Sequence, residues 1–330
     1  MRIAIASFTP KGQKLQERII SARGDAFVVY DKNSLSLRAF TERQFHACDA
    51  MIFIGAIGIV VRLVGPLASS KETDPAVVVM DEKGTFAIPI LSGHIGGAND
   101  LALELSASIG ATPVITTATD LNGKFAVDTW CASHGCAVLD ISKIKDISSA
   151  ILRDESVGFY SDFDVCGDLP KQLKLDNKLP IGICVSLKPS LKPFDVTLNA
   201  APKIITIGTG CKKGTESQAF EAFMLDTLKK NDLSIKSVKA LASIDLKKEE
   251  PCLLDFSRKY KVDFVTYTSE ELSGIKGIFS KSDFVQSVTG TDNVCERSAV
   301  LHSKGLLIVP KAAKTGMTAA IAASEWRCAF

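Results

Sequence analysis

His94 stands among Gly93, Gly96 and Gly97 in the segment LSGHIGGANDLALEL, which runs from Leu91 onward. A glycine-rich turn that feeds a helix start collects unpaired backbone N–H groups and the positive end of the helix dipole. An imidazole in that turn adds a group that moves protons near neutral pH. Anion pocket and proton carrier together predict an active site. His94 is the candidate base, and Ser92, Gly93, Gly96, Gly97 and Asn99 are candidates for holding substrate. Asn99 and Asp100 are expected to cap the helix, with Leu101, Ala102, Leu103 and Leu105 as its apolar surface. His46 and His302 read as surface or boundary residues, and His134 falls near a domain end.

Four other clusters carry candidate chemistry. In ITTATD, the hydroxyls of Thr116, Thr117 and Thr119 and the carboxylate of Asp120 follow a strand, where open α/β sheets bind ligands. A helix N-cap explains the same residues equally well, and Asp120 can serve both ends. GAIGIVVR sets Gly55, Gly58 and Arg62 after another strand. Arg62 offers a planar fork to a carboxylate, or is a plain surface ion-pair partner. GTGCKKGT contributes Gly208, Gly210, Cys211, Lys212, Lys213, Gly214 and Thr215, read as a turn between a strand and a helix. It binds a carboxylate or phosphate, or is a tight turn with solvated lysines. It matches neither the P-loop nor the dinucleotide fingerprint. Last, Glu296 opens a helix after GTDNV, a placement the dipole alone explains, and Lys311 follows the strand LLIVP. No Gly-x-Ser-x-Gly elbow and no His-Glu-x-x-His zinc site is present.

The elements that must position these residues alternate in type. Short β-rich runs at 3–8, 27–30, 50–54, 77–80 and 113–117 are separated by helical stretches, predicting an α/β domain with a mainly parallel sheet over residues 1–135. Residues 136–200 are rich in Lys, Asp and Pro and read as a small, irregular middle domain, with 189–202 as the linker onward. A second α/β domain with a mainly parallel sheet occupies 201–330, with helices expected at 217–230, 250–260 and 315–326, the last capped by Thr315.

Composition narrows the partners. At 330 residues the chain exceeds one core. A net charge of +2 gives no general attraction to nucleic acid or membrane, so anion recognition is local. No apolar run spans a bilayer, and MRIAIASFTPKG reads as a first strand rather than a signal peptide, which predicts a cytoplasmic protein. The nine cysteines are scattered without a zinc or redox spacing, so neither disulfides nor a protein metal site is expected. A homodimer is left open.

Taken together, GAIGIVVRLVGPL, TDPAVVV, LSGHIGGANDLA, PVITTATD, IGTGCKKGT, SVTGTDNVCERSAV and LLIVPK resemble the cobalt-precorrin-5A hydrolase family of anaerobic cobalamin biosynthesis. The resemblance covers both α/β domains in the family's order. It implies opening of a lactone on a ring-contracted cobalt tetrapyrrole and loss of a two-carbon fragment as acetaldehyde. Cobalt then arrives inside the substrate, and no further cofactor is implied. On this reading His94, with Asp120, activates water, and amides near Gly96 and Gly97 hold the oxyanion. Glu296 or Lys311 supplies a proton, while Arg62 and the Gly208–Gly214 segment grip peripheral carboxylates across a cleft between the terminal domains. A non-catalytic carrier of the same tetrapyrrole is the rival reading, and a nucleotide-dependent transferase ranks behind it.

Overall fold

The structure is a computed structural model that describes residues 1–70, 73–94 and 96–330. Its contacts divide the chain into two compact units, Met1–Ala132 and Ser133–Phe330.

The first unit runs β1 (Arg2–Ser7), α1 (Pro10–Ala22), β2 (Ala26–Val29), α2 (Leu37–Phe45), β3 (Ala50–Ile54), α3 (Ile57–Val64), β4 (Ala76–Met80), β5 (Phe86–Leu91), α4 (Ala98–Ile109), β6 (Thr112–Pro113), α5 (Ala118–Leu121) and α6 (Val127–Ser133). β3 and β4 are buried at every position, as continuous apolar strands covered on both faces must be. Strand alternation sends Ile3, Ile5, Ile52, Ile54, Val78 and Met80 to one face, against Leu15 and Ile19 of α1 and Leu101 and Leu105 of α4. Ala4, Ala6, Met51, Phe53, Val77 and Val79 point the other way, against Phe40, Phe45, Val60 and Val64 of α2 and α3.

The strand order is β2-β1-β3-β4-β5-β6. Every pairing is parallel except β4 with β5, where Leu91 lies opposite Val77 and Ala87 opposite Met80. This reversal decides where the candidate residues fall. β5 ends at the rim where β1, β3 and β4 begin. The residue after β3, Gly55, lies at the opposite rim and donates its amide to Met80. A five-residue strand, about 16 Å long, separates the two.

The second unit continues with β7 (Cys136–Val138), α7 (Ser142–Leu152), β8 (Val157–Ser161), β9 (Val165–Cys166), β10 (Leu173–Lys174), β11 (Ile181–Val185), β12 (Val196–Pro202), β13 (Ile205–Cys211), α8 (Ser217–Lys230), β14 (Val238–Ile244), α9 (Pro251–Tyr260), β15 (Asp263–Tyr267), α10 (Ser269–Ser273), α11 (Asp283–Thr289), α12 (Cys295–Ser303), β16 (Leu306–Lys314), β17 (Met317–Ala323) and β18 (Cys328–Ala329). The segment expected to be irregular builds a five-stranded sheet, β10-β8-β11-β12-β7. The expected linker is corrected with it, because Leu198, Ala200 and Ala201 of β12 are fully buried. Pro202 misleads a sequence reader here. It ends β12 beside Cys136 of the short strand β7, a place where a missing N–H costs little.

The last sheet runs β15-β14-β13-β17-β16. β13 pairs in parallel with β14 and antiparallel with β17. The helix expected at 315–326 is therefore wrong. Thr315 and Gly316 have φ of 48° and 80° and form a two-residue turn between the paired Lys314 and Met317. Positive φ at both central positions marks a hairpin turn, and the ladder it sets outweighs the helix propensity of the alanines. The side chain of Lys212 lies over Gly316, where a Cβ would meet its Cδ at 2.6 Å. The small side chains of β13 and β17 let α12 approach closely, and a Cβ at Gly208 would collide with the carbonyl of Cys295. The chain is thus mixed α/β with mostly parallel sheets.

Candidate active site

β5 ends at Leu91, and the turn that follows reaches the helix α4 in six residues. Ser92 opens it in the left-handed region, with φ of 56°. Gly97 closes it at φ of 81° as the N-cap residue, a conformation costly for any side chain. Asn99 and Asp100 are consequently not caps but lie inside the first helical turn. The turn closes on itself: the amides of Gly97, Ala98 and Asn99 donate to the carbonyls of His94, Ser92 and Gly93. The Gly97 amide expected to face an oxyanion is thereby occupied, and Gly96 is the glycine of the pair whose amide stays unbonded among the described residues.

His94 projects from this turn between two carboxylates. Nδ1 lies 2.9 Å from Oδ2 of Asp128, and Nε2 lies 3.2 Å from Oδ2 of Asp120. Asp128 is buried in the first turn of α6 and also accepts the amide of Thr129. Asp120, in α5, is more open and accepts the Asn99 Nδ2 at 2.8 Å. The same Asn99 amide group donates to Thr117 Oγ1. Asn99 therefore serves as a bracket that ties α4 to the segment 117–120. The hydrogen bond to Asp128 holds the His94 pKa above its ordinary value, against the opposing effect of burial, and Asp120 adds to the rise. Burial pushes the Asp128 carboxyl up, but the His94 hydrogen bond and charge outweigh it and leave its pKa lowered.

Two cavities meet at this histidine. One, of 420 Å³, is lined by Gly93, His94, Asn99, Leu103, Ile115, Thr119, Asp120 and Lys124 among others. The other, of 240 Å³, is bounded by Asp74, Leu91, Ser92, Thr117 and Asp128 as well as Gly93 and His94. Asp74 closes its own loop by accepting the amides of Ser69 and Ser70. Among the described residues, Ser92 Oγ and Thr119 Oγ1 are buried without a hydrogen-bond partner in this region. Thr116 is exposed.

Asp128 is the residue that the sequence reading overlooks. Its signal was faint: an acidic residue at a helix start, which the dipole explains without function.

The remaining candidates lie elsewhere. Gly55 lies at the opposite rim of the first sheet, Gly58 and the exposed Arg62 belong to the helix α3 that follows it, and none of the three lines either cavity at His94. Arg62 sits in the last turn of α3, where the helix dipole favours a cation. In the second unit, Gly208, Gly210 and Cys211 are strand residues of β13 rather than part of a turn. The turn proper begins at the exposed Lys212 and Lys213, and Thr215 Oγ1 donates to the Lys212 carbonyl. The amide of Gly214 already donates to Glu250 Oε1, so the protein supplies its own carboxylate there.

Glu296 is likewise a clamp. It is 1% exposed and accepts from the Ser280 amide and hydroxyl, Asn293 Nδ2 and the Lys311 amide. All of these donors belong to the protein itself, so the carboxylate is fully engaged in holding its own surroundings together. Lys311 lies within β16, not after it.

The fold and site define a mixed α/β protein with a histidine held between two carboxylates on a strand-to-helix turn. Residues 39–120 match the family described as cobalamin synthesis G N-terminal, and residues 205–322 match cobalamin synthesis G C-terminus. The chain belongs to this cobalamin synthesis G family. It is 34% identical, over 96% of both chains, to a protein of Salmonella typhimurium (strain LT2) named cobalt-precorrin-5A hydrolase. A Priestia megaterium protein of the same name is 35% identical over 81% of this chain and 76% of its own. A crystal structure of a cobalamin biosynthesis protein G homologue from Sulfolobus solfataricus aligns over 98% of this chain and 97% of that one, at 26% identity and a TM-score of 0.43. No helix among the described residues is long and apolar enough to cross a membrane.

Proposed function

We propose that this chain is a cobalt-precorrin-5A hydrolase that opens the lactone of a ring-contracted cobalt tetrapyrrole and releases acetaldehyde. The names of its relatives support the substrate. The observation that carries the chemistry is His94 held between Asp128 and Asp120 where two cavities meet.

Asp128 fixes the ring and keeps the Nδ1 proton, which leaves Nε2 as the atom that exchanges protons with substrate. Substrate displaces Asp120 from Nε2, and a water takes its place. His94 removes a proton from this water as the water oxygen bonds to the lactone carbonyl carbon. The acyl C–O bond then breaks, leaving an alkoxide on the methyl-bearing carbon and a carboxylic acid, which gives the water's second proton to solvent and becomes a carboxylate. Collapse of the alkoxide forms the aldehyde C=O and breaks the bond to the macrocycle, which keeps the electron pair. The His94 imidazolium returns its proton to that carbon, so the balance is one water consumed and one acetaldehyde released. Gly96 donates its amide to the oxyanion of the first step. Cobalt is part of the substrate, and the chain acts on it as a small-molecule partner.

The test is incubation with the lactone substrate and chemical trapping of a volatile aldehyde. Catalytic release is expected, and His94→Ala should slow it on the order of 10²- to 10⁴-fold. Stoichiometric binding with no turnover would instead make the protein a carrier.

A further inference from the structure

We propose that Cys211, Cys252 and Glu250 form a binding site for a zinc-class divalent cation in the second unit. Cys211 is the last residue of β13, Glu250 is the N-cap residue of α9, and Cys252 lies in the first turn of that helix. Forty-one positions separate the two cysteines, so no local spacing motif announces the pair. The fold nevertheless brings one thiol from each and a carboxylate oxygen within 4.8 Å of one another.

Three features fit a metal. The first is the span between the sulfurs, 3.8 Å. Two Zn–S bonds of about 2.3 Å at a tetrahedral angle place their sulfurs about 3.8 Å apart, so the thiols already occupy two corners of the required figure. The second is the carboxylate. Glu250 Oε1 accepts the Gly214 amide and Oε2 accepts Lys247 Nζ, which fixes its rotation, while each oxygen keeps a second lone pair. The third is charge. Two thiolates and a carboxylate bring three negative charges, which a divalent cation and the Lys247 ammonium balance.

Sulfur ligands select zinc over magnesium or calcium. Binding converts two thiols to thiolates and releases two protons for each cation taken up. Three protein ligands leave a fourth position open beside the half-buried Cys211. Since Gly214 hangs on Glu250, the cation would also pin the turn 212–215 to the start of α9.

The experiment uses the full chain, reduced, stripped with a chelator and titrated anaerobically with zinc chloride alone. One equivalent should bind and raise Tm in the wild type. Cys211→Ser and Cys252→Ala should each weaken that binding at least tenfold, and Glu250→Gln should weaken it less because it keeps an acceptor for Gly214. Cobalt(II) chloride in place of zinc should give the wild type a near-ultraviolet thiolate charge-transfer band that Cys252→Ala lacks. A wild type with no stoichiometric zinc and no such band overturns the site, whether or not the variants fold. Binding that survives both cysteine substitutions overturns it too. So does conversion of the pair to a disulfide by hydrogen peroxide at the same rate with and without zinc, which would make the cysteines a redox couple instead.

Discussion

At the residue scale, the site depends on which proton His94 carries and when. Asp128 raises its pKa, so the rate of aldehyde release should rise with pH through an inflection above the ordinary histidine value of 6.5. Asp128→Asn removes the charge that holds the proton. The inflection should move down and the maximal rate should fall by about 10²- to 10³-fold, measurable in a pH–rate profile. The same linkage acts on stability. A histidine whose folded pKa is raised stabilises the fold fully below its unfolded value and loses that contribution as pH climbs through the folded one. Asp128, with its pKa lowered, contributes fully above its unfolded value and loses that contribution as pH falls through the lower folded one. His94→Ala should therefore lower Tm more at pH 6 than at pH 9. Ser92 gives a separate check. Its positive φ predicts that Ser92→Gly is neutral or gains up to about 1 kcal/mol, whereas Ser92→Val loses about 1–3 kcal/mol.

Two glycines separate structural from permissive roles at the element scale. Gly208 faces the carbonyl of Cys295 with no room for a methyl group, so Gly208→Ala should cost about 1–3 kcal/mol or more by pushing α12 off the sheet. Gly58 lies on the open side of α3 with nothing nearby. Gly58→Ala should raise stability by about 0.5–1 kcal/mol, the ordinary helix-propensity gain. Denaturant unfolding of the two variants checks both signs. Gly316→Ala joins the first group for a different reason: it strains the turn and displaces the stem of Lys212. What could be read from the residues alone follows this division. β3, α8 and α9 have runs or periodicities that speak for themselves, and the turn with His94 was legible because glycines, histidine and a helix start adjoin in the chain. β17 was not, because alanines fit a helix until the Thr315–Gly316 turn and its ladder are known. Asp128 and the Cys211–Cys252 pair were hidden for a related reason. Their partners lie 34 and 41 residues away, and only the assembled fold joins them.

At the scale of the whole molecule, the two units have separate cores. The clusters on the two faces of the first sheet draw on buried residues between Ile3 and Ala111, while the core around β13 draws on residues between Ile205 and Ile321. The first unit with all of α6, residues 1–133, should fold alone and keep the contact between His94 and Asp128, seen as a raised imidazole pKa in the fragment's NMR titration. A fragment that titrates like a free histidine would show that the site needs the rest of the chain. The reversed direction of β5 has a practical side as well. It sets Gly55 and the exposed Ala56, which follow β3, at the rim opposite the proton-transfer turn. A fluorophore attached through a cysteine introduced at Ala56 would sit one strand length, about 16 Å, from the chemistry, close enough to register ligand arrival and too far to obstruct it.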